Sequence, residues 1–212
     1  SDTGVEVVHH SHQNESRESW FSPVLVVLGL GMLGMTVAEG AALDWLALGY
    51  KEGYGVSDSV AAAGFNVFFA GMVLLRFFGG TLADRIGKLH SLQVLAGVGI
   101  VGVLLVSLSS PHIYLAWIGA ALWGVGVALG FPLFLSLAGE GNNSARRVSF
   151  VATWGYGAFL AGPPLLGFIA DSIGLLRMFF IVACFFVIGL LAALSASKFS
   201  ELFMVDDPHT AR

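Results

Sequence analysis

Long apolar stretches alternate with short polar segments along the whole chain. Six of the stretches approach the length of about 20 predominantly apolar residues that a membrane-spanning helix requires. The predicted spans cover roughly residues 23–48, 60–78, 92–108, 113–137, 148–170 and 178–197, with polar tails at 1–22 and 198–212. Because the connections are short, successive helices should be antiparallel neighbours. The pattern therefore predicts an all-α membrane protein with six transmembrane helices.

The composition agrees with this class. Of the 212 residues, 56% are hydrophobic and only 11% are charged, whereas a soluble domain carries about 25% charged residues. The net charge of −4 and the lack of a basic patch argue against a nucleic-acid partner and leave the lipid bilayer as the expected surroundings. Cys184 stands alone, and His9, His10 and His12 lack the spacing of a closed metal site. We therefore expect neither a metal nor a cofactor.

Lysine and arginine are distributed unevenly between the two sides of the predicted bundle. Lys51 and Arg177 lie on one side. The eight residues on the other side are Arg17, Arg76, Arg85, Lys88, Arg146, Arg147, Lys198 and Arg212. Since basic residues collect on the cytoplasmic side, both termini are expected in the cytoplasm, with the protein in the inner or plasma membrane of a cell.

A short motif occurs twice, at the same point of each half of the chain. The segment GTLADRIGKLH, residues 80–90, aligns with GFIADSIGLLR, residues 167–177, at an offset of 167 − 80 = 87 residues. The identical pairs are Gly80/Gly167, Ala83/Ala170, Asp84/Asp171, Ile86/Ile173, Gly87/Gly174 and Leu89/Leu176. The offset equals three helices, so two repeats of about 23–109 and 110–197 should enter the membrane from opposite sides. An inverted three-plus-three repeat is typical of secondary transporters.

The segment GTLADRIGK resembles the loop motif G-x-L-A-D-R-x-G-R/K of the major facilitator superfamily, which follows the second helix of each six-helix half. Gly80, Asp84, Arg85, Gly87 and Lys88 stand at motif positions. In that family the loop charges latch neighbouring helices and favour one facing state. The resemblance therefore implies that this chain is half of a major facilitator fold, and that these residues control its conformation rather than bind substrate.

Three further segments resemble parts of the same family. The polar tail at 1–22 resembles the cytoplasmic linker between the two halves. The segment AEGAALDW in the first span resembles the first helix of the C-terminal half in some bacterial members. The segment GPPLLG in the fifth span is similar to the glycine–proline motif of family antiporters. The resemblance implies a C-terminal half that pairs with a second six-helix half, from the same polypeptide or in a dimer.

Ionisable residues inside a membrane are functional candidates, and the predicted spans contain few. Counting 1.5 Å per residue from position 23 places Glu39 about 24 Å into the membrane and Asp44 about 32 Å in, near the outer boundary. Glu39 could carry a proton, or it could lie in a hydrated vestibule or be satisfied by a backbone group. Arg76 is expected near the cytoplasmic end of the second span, with its guanidinium reaching toward water.

Three polar or aromatic residues in the spans have two interpretations each. Asn66, in the second span, lies within reach of the depth of Glu39 and could bind substrate or form an interhelical hydrogen bond. Trp154 and Tyr156, early in the fifth span, could line a cavity or lie at the membrane interface.

These features together predict a secondary transporter of the major facilitator type, which moves a small molecule by alternating access, with proton coupling through Glu39 as a further hypothesis. Two alternatives remain. One is a membrane scaffold or assembly protein that transports nothing. The other, with less support, is a membrane-embedded enzyme, for which the chain lacks the motifs H-E-x-x-H and G-x-S-x-G.

Overall fold

The computed structural model describes residues 22–140 and 143–205. These residues form seven α-helices and no strand: α1 (Pro23–Tyr54), α2 (Asp58–Ile86), α3 (Lys88–Leu108), α4 (Ile113–Val127), α5 (Gly130–Ala138), α6 (Ser144–Ile173) and α7 (Leu175–Val205). Only Ala128 and Leu129 separate α4 from α5, and the two helices together correspond to the fourth predicted span. The prediction of an all-α fold is confirmed.

Five segments of the described chain are long and apolar enough to cross a membrane. They are Pro23–Tyr54, Asp58–Thr81, Lys88–Leu108, Ile113–Ala138 and Leu175–Lys198. Helix α6, which contains the predicted span at 148–170, has 30 residues but does not belong to this set. Glycine, proline, threonine and tyrosine interrupt its apolar run. The sixth span therefore stays a prediction.

Helices α1, α2 and α7 continue well past their predicted ends, and α7 runs to Val205. Helix α1 runs to Tyr54 rather than to about 48, and α2 runs to Ile86. The second apolar run was predicted to end at about 78, where two glycines follow it. That expectation is wrong because Gly79 has a packing role: a Cβ at this position would lie 2.6 Å from Leu129 Cδ1. Hydropathy drops where a helix leaves the apolar core, but its backbone hydrogen bonds continue. The polar connections are therefore shorter than the hydropathy pattern indicated.

Gly87 and Gly174 end α2 and α6 with the same backbone geometry. The dihedral angles are φ 83° and ψ 150° at Gly87, and φ 87° and ψ 153° at Gly174. The N–H of Gly87 donates to the carbonyl oxygen of Ala83 at 3.0 Å, and that of Gly174 to Ala170 at 2.7 Å. Other residues are strained in this region of positive φ. The repeated motif therefore encodes one tight connection that the chain uses twice.

The helix packing has the symmetry that an inverted repeat requires. In an inverted repeat, α1 corresponds to α4–α5, α2 to α6 and α3 to α7. The contact of α1 with α6 then becomes the contact of α4 with α2. The contact of α1 with α7 likewise becomes that of α4 with α3. All four contacts are extensive in the structure, and α3 also packs on α7, its counterpart in the other repeat. The helix contacts therefore have the two-fold correspondence that a three-plus-three repeat requires.

Helices α2 and α4 come into backbone contact at Gly124. A Cβ at this position would overlap the carbonyl oxygen of Phe68. The neighbouring Trp123 packs edge-on against Phe68, with the ring centroids 6.1 Å apart. This close approach brings the later turns of α2 against the interruption between α4 and α5.

We expect Gly124→Ala to reduce the stability of the purified protein by about 1–3 kcal/mol, because the added methyl group must push α2 and α4 apart. Gly97→Ala is the matched control, since a Cβ at Gly97 meets no atom within 4 Å. Thermal unfolding in detergent compares both variants with the wild type. Equal melting temperatures for the two variants would contradict the tight approach.

Candidate functional site

Glu39 is the one buried charged side chain in the described part of the chain, with only 6% of the residue exposed. It lies near the midpoint of α1. Helices α2, α4, α5, α6 and α7 all pack on α1. An unpaired carboxylate in these surroundings is costly, so its partner defines the site.

Arg76 of α2 is that partner. Its Nη2 atom donates a hydrogen bond to Glu39 Oε1 at 2.6 Å and forms an ion pair with it. The sequence indicated no partner for Arg76, and its expected position near the cytoplasmic end of the second span stays a prediction. The guanidinium instead contacts α1, where only 8% of the Glu39 side chain is exposed. The ion pair therefore lies inside the bundle.

The same guanidinium compensates an interrupted helix. Ala128 lies in the interruption between α4 and α5, and the residue four positions later is Pro132, which has no N–H to donate. The carbonyl oxygen of Ala128 instead accepts a hydrogen bond from Arg76 Nε at 3.0 Å. Arg76 thus joins Glu39 of α1 to the break in the α4–α5 segment.

Polar groups beside the ion pair hold α4 against α1. Trp123 Nε1 donates to the carbonyl oxygen of Ala38 at 3.1 Å, and its ring packs edge-on against Phe179 at a centroid distance of 5.2 Å. Thr36 lies one turn before Glu39 on the same side of α1. Its buried hydroxyl has no hydrogen-bond partner among the described residues. Close packing and a hydrogen bond to α4 therefore surround Glu39 on one side, and the unpaired hydroxyl of Thr36 lies next to it.

One side of Arg76 is open. Its side chain is 42% exposed, against 8% for that of Glu39. The Nη1 atom makes no hydrogen bond within residues 22–140 and 143–205, because the bonds of Arg76 use Nε and Nη2. Phe69 lies seven residues earlier on the same face of α2 and is also exposed. Gly80, one turn after Arg76, leaves open space where a Cβ would stand. The site therefore opens onto an uncovered face of α2.

The other substrate candidates lie apart from the ion pair. Asn66 is exposed on α2, ten residues before Arg76, which is about 15 Å along the helix axis. On α6, Trp154 is partly buried and Tyr156 is exposed. Among the described contacts of these three side chains, none reaches Glu39 or Arg76. Their roles in substrate binding stay predictions.

A second ion pair lies beside the repeated loop motif. Lys88 Nζ is 2.6 Å from Glu140 Oε1, which joins the start of α3 to the chain just after α5. Asp84 and Arg85 are exposed in the last turn of α2 and form no ion pair with a described residue. A cavity of about 640 Å³ adjoins Lys88 and Glu140. The sequence contains no signal for Glu140, because 52 residues separate it from Lys88.

Several curated proteins are similar to this chain in sequence. An uncharacterized transporter of Sinorhizobium fredii is 33% identical over 81% of this chain and 44% of its own length. An uncharacterized MFS-type transporter of Yersinia pestis is 30% identical over 69% of this chain and 38% of its own length. The multidrug resistance protein MdtG of Escherichia coli is 31% identical over 82% of this chain and 45% of its own length. The chain thus spans less than half the length of these relatives. No family model matches it.

A crystal structure of the peptide transporter POT in complex with sulfate has a similar fold. The match has a TM-score of 0.72 and covers 82% of this chain and 37% of that one. Only 17% of the residues are identical, so the likeness shows a shared fold and says nothing about the substrate.

We expect Arg76→Met to destabilise the protein by about 3 kcal/mol, because it leaves the buried carboxylate of Glu39 without its charged partner. Adding Glu39→Gln to Arg76→Met should restore part of the loss, since no buried charge then remains. Thermal unfolding of the wild type, both single variants and the double variant gives the coupling between the two residues. Additive losses would show that the ion pair makes no net contribution.

Proposed function

The chain belongs to the major facilitator superfamily, and we propose that it forms one six-helix half of a secondary active transporter that moves a small solute by alternating access. The relatives whose names state a function are transporters, which supports this activity and sets the chain apart from enzymes. Coverage of less than half of those relatives fits a half-transporter. The resemblance of its first span and its polar N-terminal tail to the family favours the C-terminal half.

A second six-helix half, in the same polypeptide or in another copy, would form the other side of the transport pathway. Helices α2 and α6 both leave large apolar side chains exposed, among them Phe77, Leu160 and Phe168. Lipid can cover such side chains, but the open guanidinium of Arg76 requires water or protein beside it. We therefore infer that the second half faces this side of α2, with the solute between the two bundles.

The Glu39–Arg76 ion pair is the observation that carries the proposal. A proton on Glu39 would remove the negative charge that holds Nη2, although the neutral carboxyl group can still accept a hydrogen bond. The more weakly held guanidinium would then be free to shift relative to Ala128. Proline-interrupted segments are places where helices bend. A change in the hold on Ala128 would therefore alter the angle between α4 and α5 and link proton uptake to the facing state. This arrangement supports the proposal of proton coupling through Glu39.

The loop motif would act on the same equilibrium from the end of the bundle. Lys88 pairs with Glu140 inside this half, whereas Asp84 and Arg85 stay exposed and could meet the second half. We infer that the three motif charges bias the facing state and do not contact the solute.

In proteoliposomes that contain the full-length protein, we expect Glu39→Gln to abolish solute accumulation driven by a pH gradient while solute exchange continues. Glutamine keeps the size of glutamate but cannot cycle a proton. A panel of labelled anionic, neutral and cationic solutes replaces the unidentified substrate. Asp44→Asn is the control, because Asp44 is an exposed carboxylate on the same helix. Unchanged pH-driven accumulation in Glu39→Gln would exclude Glu39 as the proton carrier.

Labelling of single cysteines tests the orientation in the membrane. Ser59 and Ser144 are exposed at the first turns of α2 and α6, at opposite ends of the bundle. In a Cys184→Ser background, we expect an impermeant maleimide added to intact cells to label Ser59→Cys, and to label Ser144→Cys only after permeabilisation. The reverse pattern would place both termini outside.

A further inference from the structure

We propose that the transported solute is an organic anion that binds the open side of Arg76 while one proton binds Glu39, so that solute and proton cross together without net charge. This inference rests on the function proposed above and names the substrate class of the same site.

The donors of Arg76 are divided between the protein and the open face of α2. A guanidinium carries five N–H groups, and Nε and Nη2 each use one of them on Ala128 and Glu39. The Nη1 atom and the edge that it shares with Nη2 remain for a second acceptor. Two parallel N–H groups match the paired oxygens of a carboxylate, phosphate or sulfonate, which makes an arginine edge an anion site.

Few other ionisable groups face the ion pair from the helices around it. Helices α4 and α5 contain no Asp, Glu, Lys, Arg or His. On α1 the nearest is Asp44, which is exposed five residues after Glu39. On α2, α6 and α7 the charged residues of known placement lie toward the ends: Asp58, Asp84, Arg85, Arg146, Arg147, Asp171, Arg177 and Lys198. Among the side chains that the structure describes, the remaining titratable ones are Tyr156 of α6 and Cys184 of α7.

This arrangement decides which charge the site can accept. Before the solute binds, the site holds the positive charge of Arg76 and the negative charge of Glu39. A net charge inside a low-dielectric bundle is costly. An anion on Arg76 adds one negative charge, which a proton on Glu39 cancels. A cation would need a second carboxylate at the same depth, and the described half of the transporter has none. The proton moves from water to the Glu39 carboxylate, and no covalent bond of the solute breaks.

The surface beside Arg76 indicates an apolar body for the anion. Phe69 and Val73 precede Arg76 on one face of α2, and the Phe69 ring is exposed. The open space at Gly80 leaves room on the other side of the guanidinium. An aromatic or aliphatic body can therefore lie along α2 while its charged group meets Arg76.

Binding of 2-naphthalenesulfonate to the purified full-length protein tests the proposal, because this anion cannot take up a proton itself. We expect saturable binding, an affinity that rises about tenfold per pH unit of acidification while Glu39 remains ionised in the free protein, and uptake of one proton per anion in weak buffer. Naphthylmethylammonium, a cation with the same ring system, should not compete. Lys51→Met, at the end of α1, is the matched control and should bind like the wild type.

The variants separate the two residues. Arg76→Met should weaken binding by at least about tenfold, and Arg76→Lys should recover part of it, which excludes simple misfolding. Glu39→Gln should keep the binding but lose its pH dependence and the proton uptake. Absence of saturable binding at millimolar concentration, equal binding in Arg76→Met, or competition by the cation would overturn the anion proposal. None of these results touches proton-driven transport, which fails only if Glu39→Gln leaves pH-driven accumulation unchanged.

Discussion

A charge inside a lipid-embedded bundle persists only where an opposite charge or a hydrogen-bonding group compensates it. Glu39 meets this condition through Arg76, and Arg76 in turn supplies the donor that Pro132 cannot supply to Ala128. The surrounding structure serves this arrangement. The glycine contact at Gly124 lets α2 lie against α4 closely enough for the guanidinium to reach both groups. One side chain therefore connects three membrane-length segments at the middle of the bundle.

The two repeats have matching helix contacts, but they carry different residues at the position of Arg76. At the offset of 87 residues, the counterpart of Arg76 is residue 76 + 87 = 163, which is Pro163 in α6. Pro163 and Pro164 leave the carbonyl of Leu160 without an N–H three or four residues later. Equivalent positions thus carry a donor-rich cation in one repeat and a helix breaker in the other. Matched packing keeps the two repeats alike, while these substitutions make one of them a candidate coupling element.

Polarity patterns predicted the spans better than they predicted helix ends. The glycines at 79 and 80 indicate a terminator by local propensity, but Gly79 is needed for contact with Leu129, and α2 continues to Ile86. At Gly79 the tertiary contact with Leu129 outweighs the low helix propensity of glycine. The polarity pattern also gave no indication that Arg76 pairs with Glu39, because that contact depends on the rotation and close approach of α1 and α2.

The sequence by itself determined the all-α class, the repeat of 87 residues, the glycine connections at Gly87 and Gly174, and Glu39 as the ionisable group of interest. Each of these depends on composition, periodicity or identity at fixed offsets, which a single chain displays directly. The partner of Glu39, the bond of Arg76 to Ala128 and the ion pair of Lys88 with Glu140 were decided only by the tertiary structure. Such contacts join residues 37 to 52 positions apart, and their formation depends on helix rotation and close approach, which one-dimensional patterns do not encode.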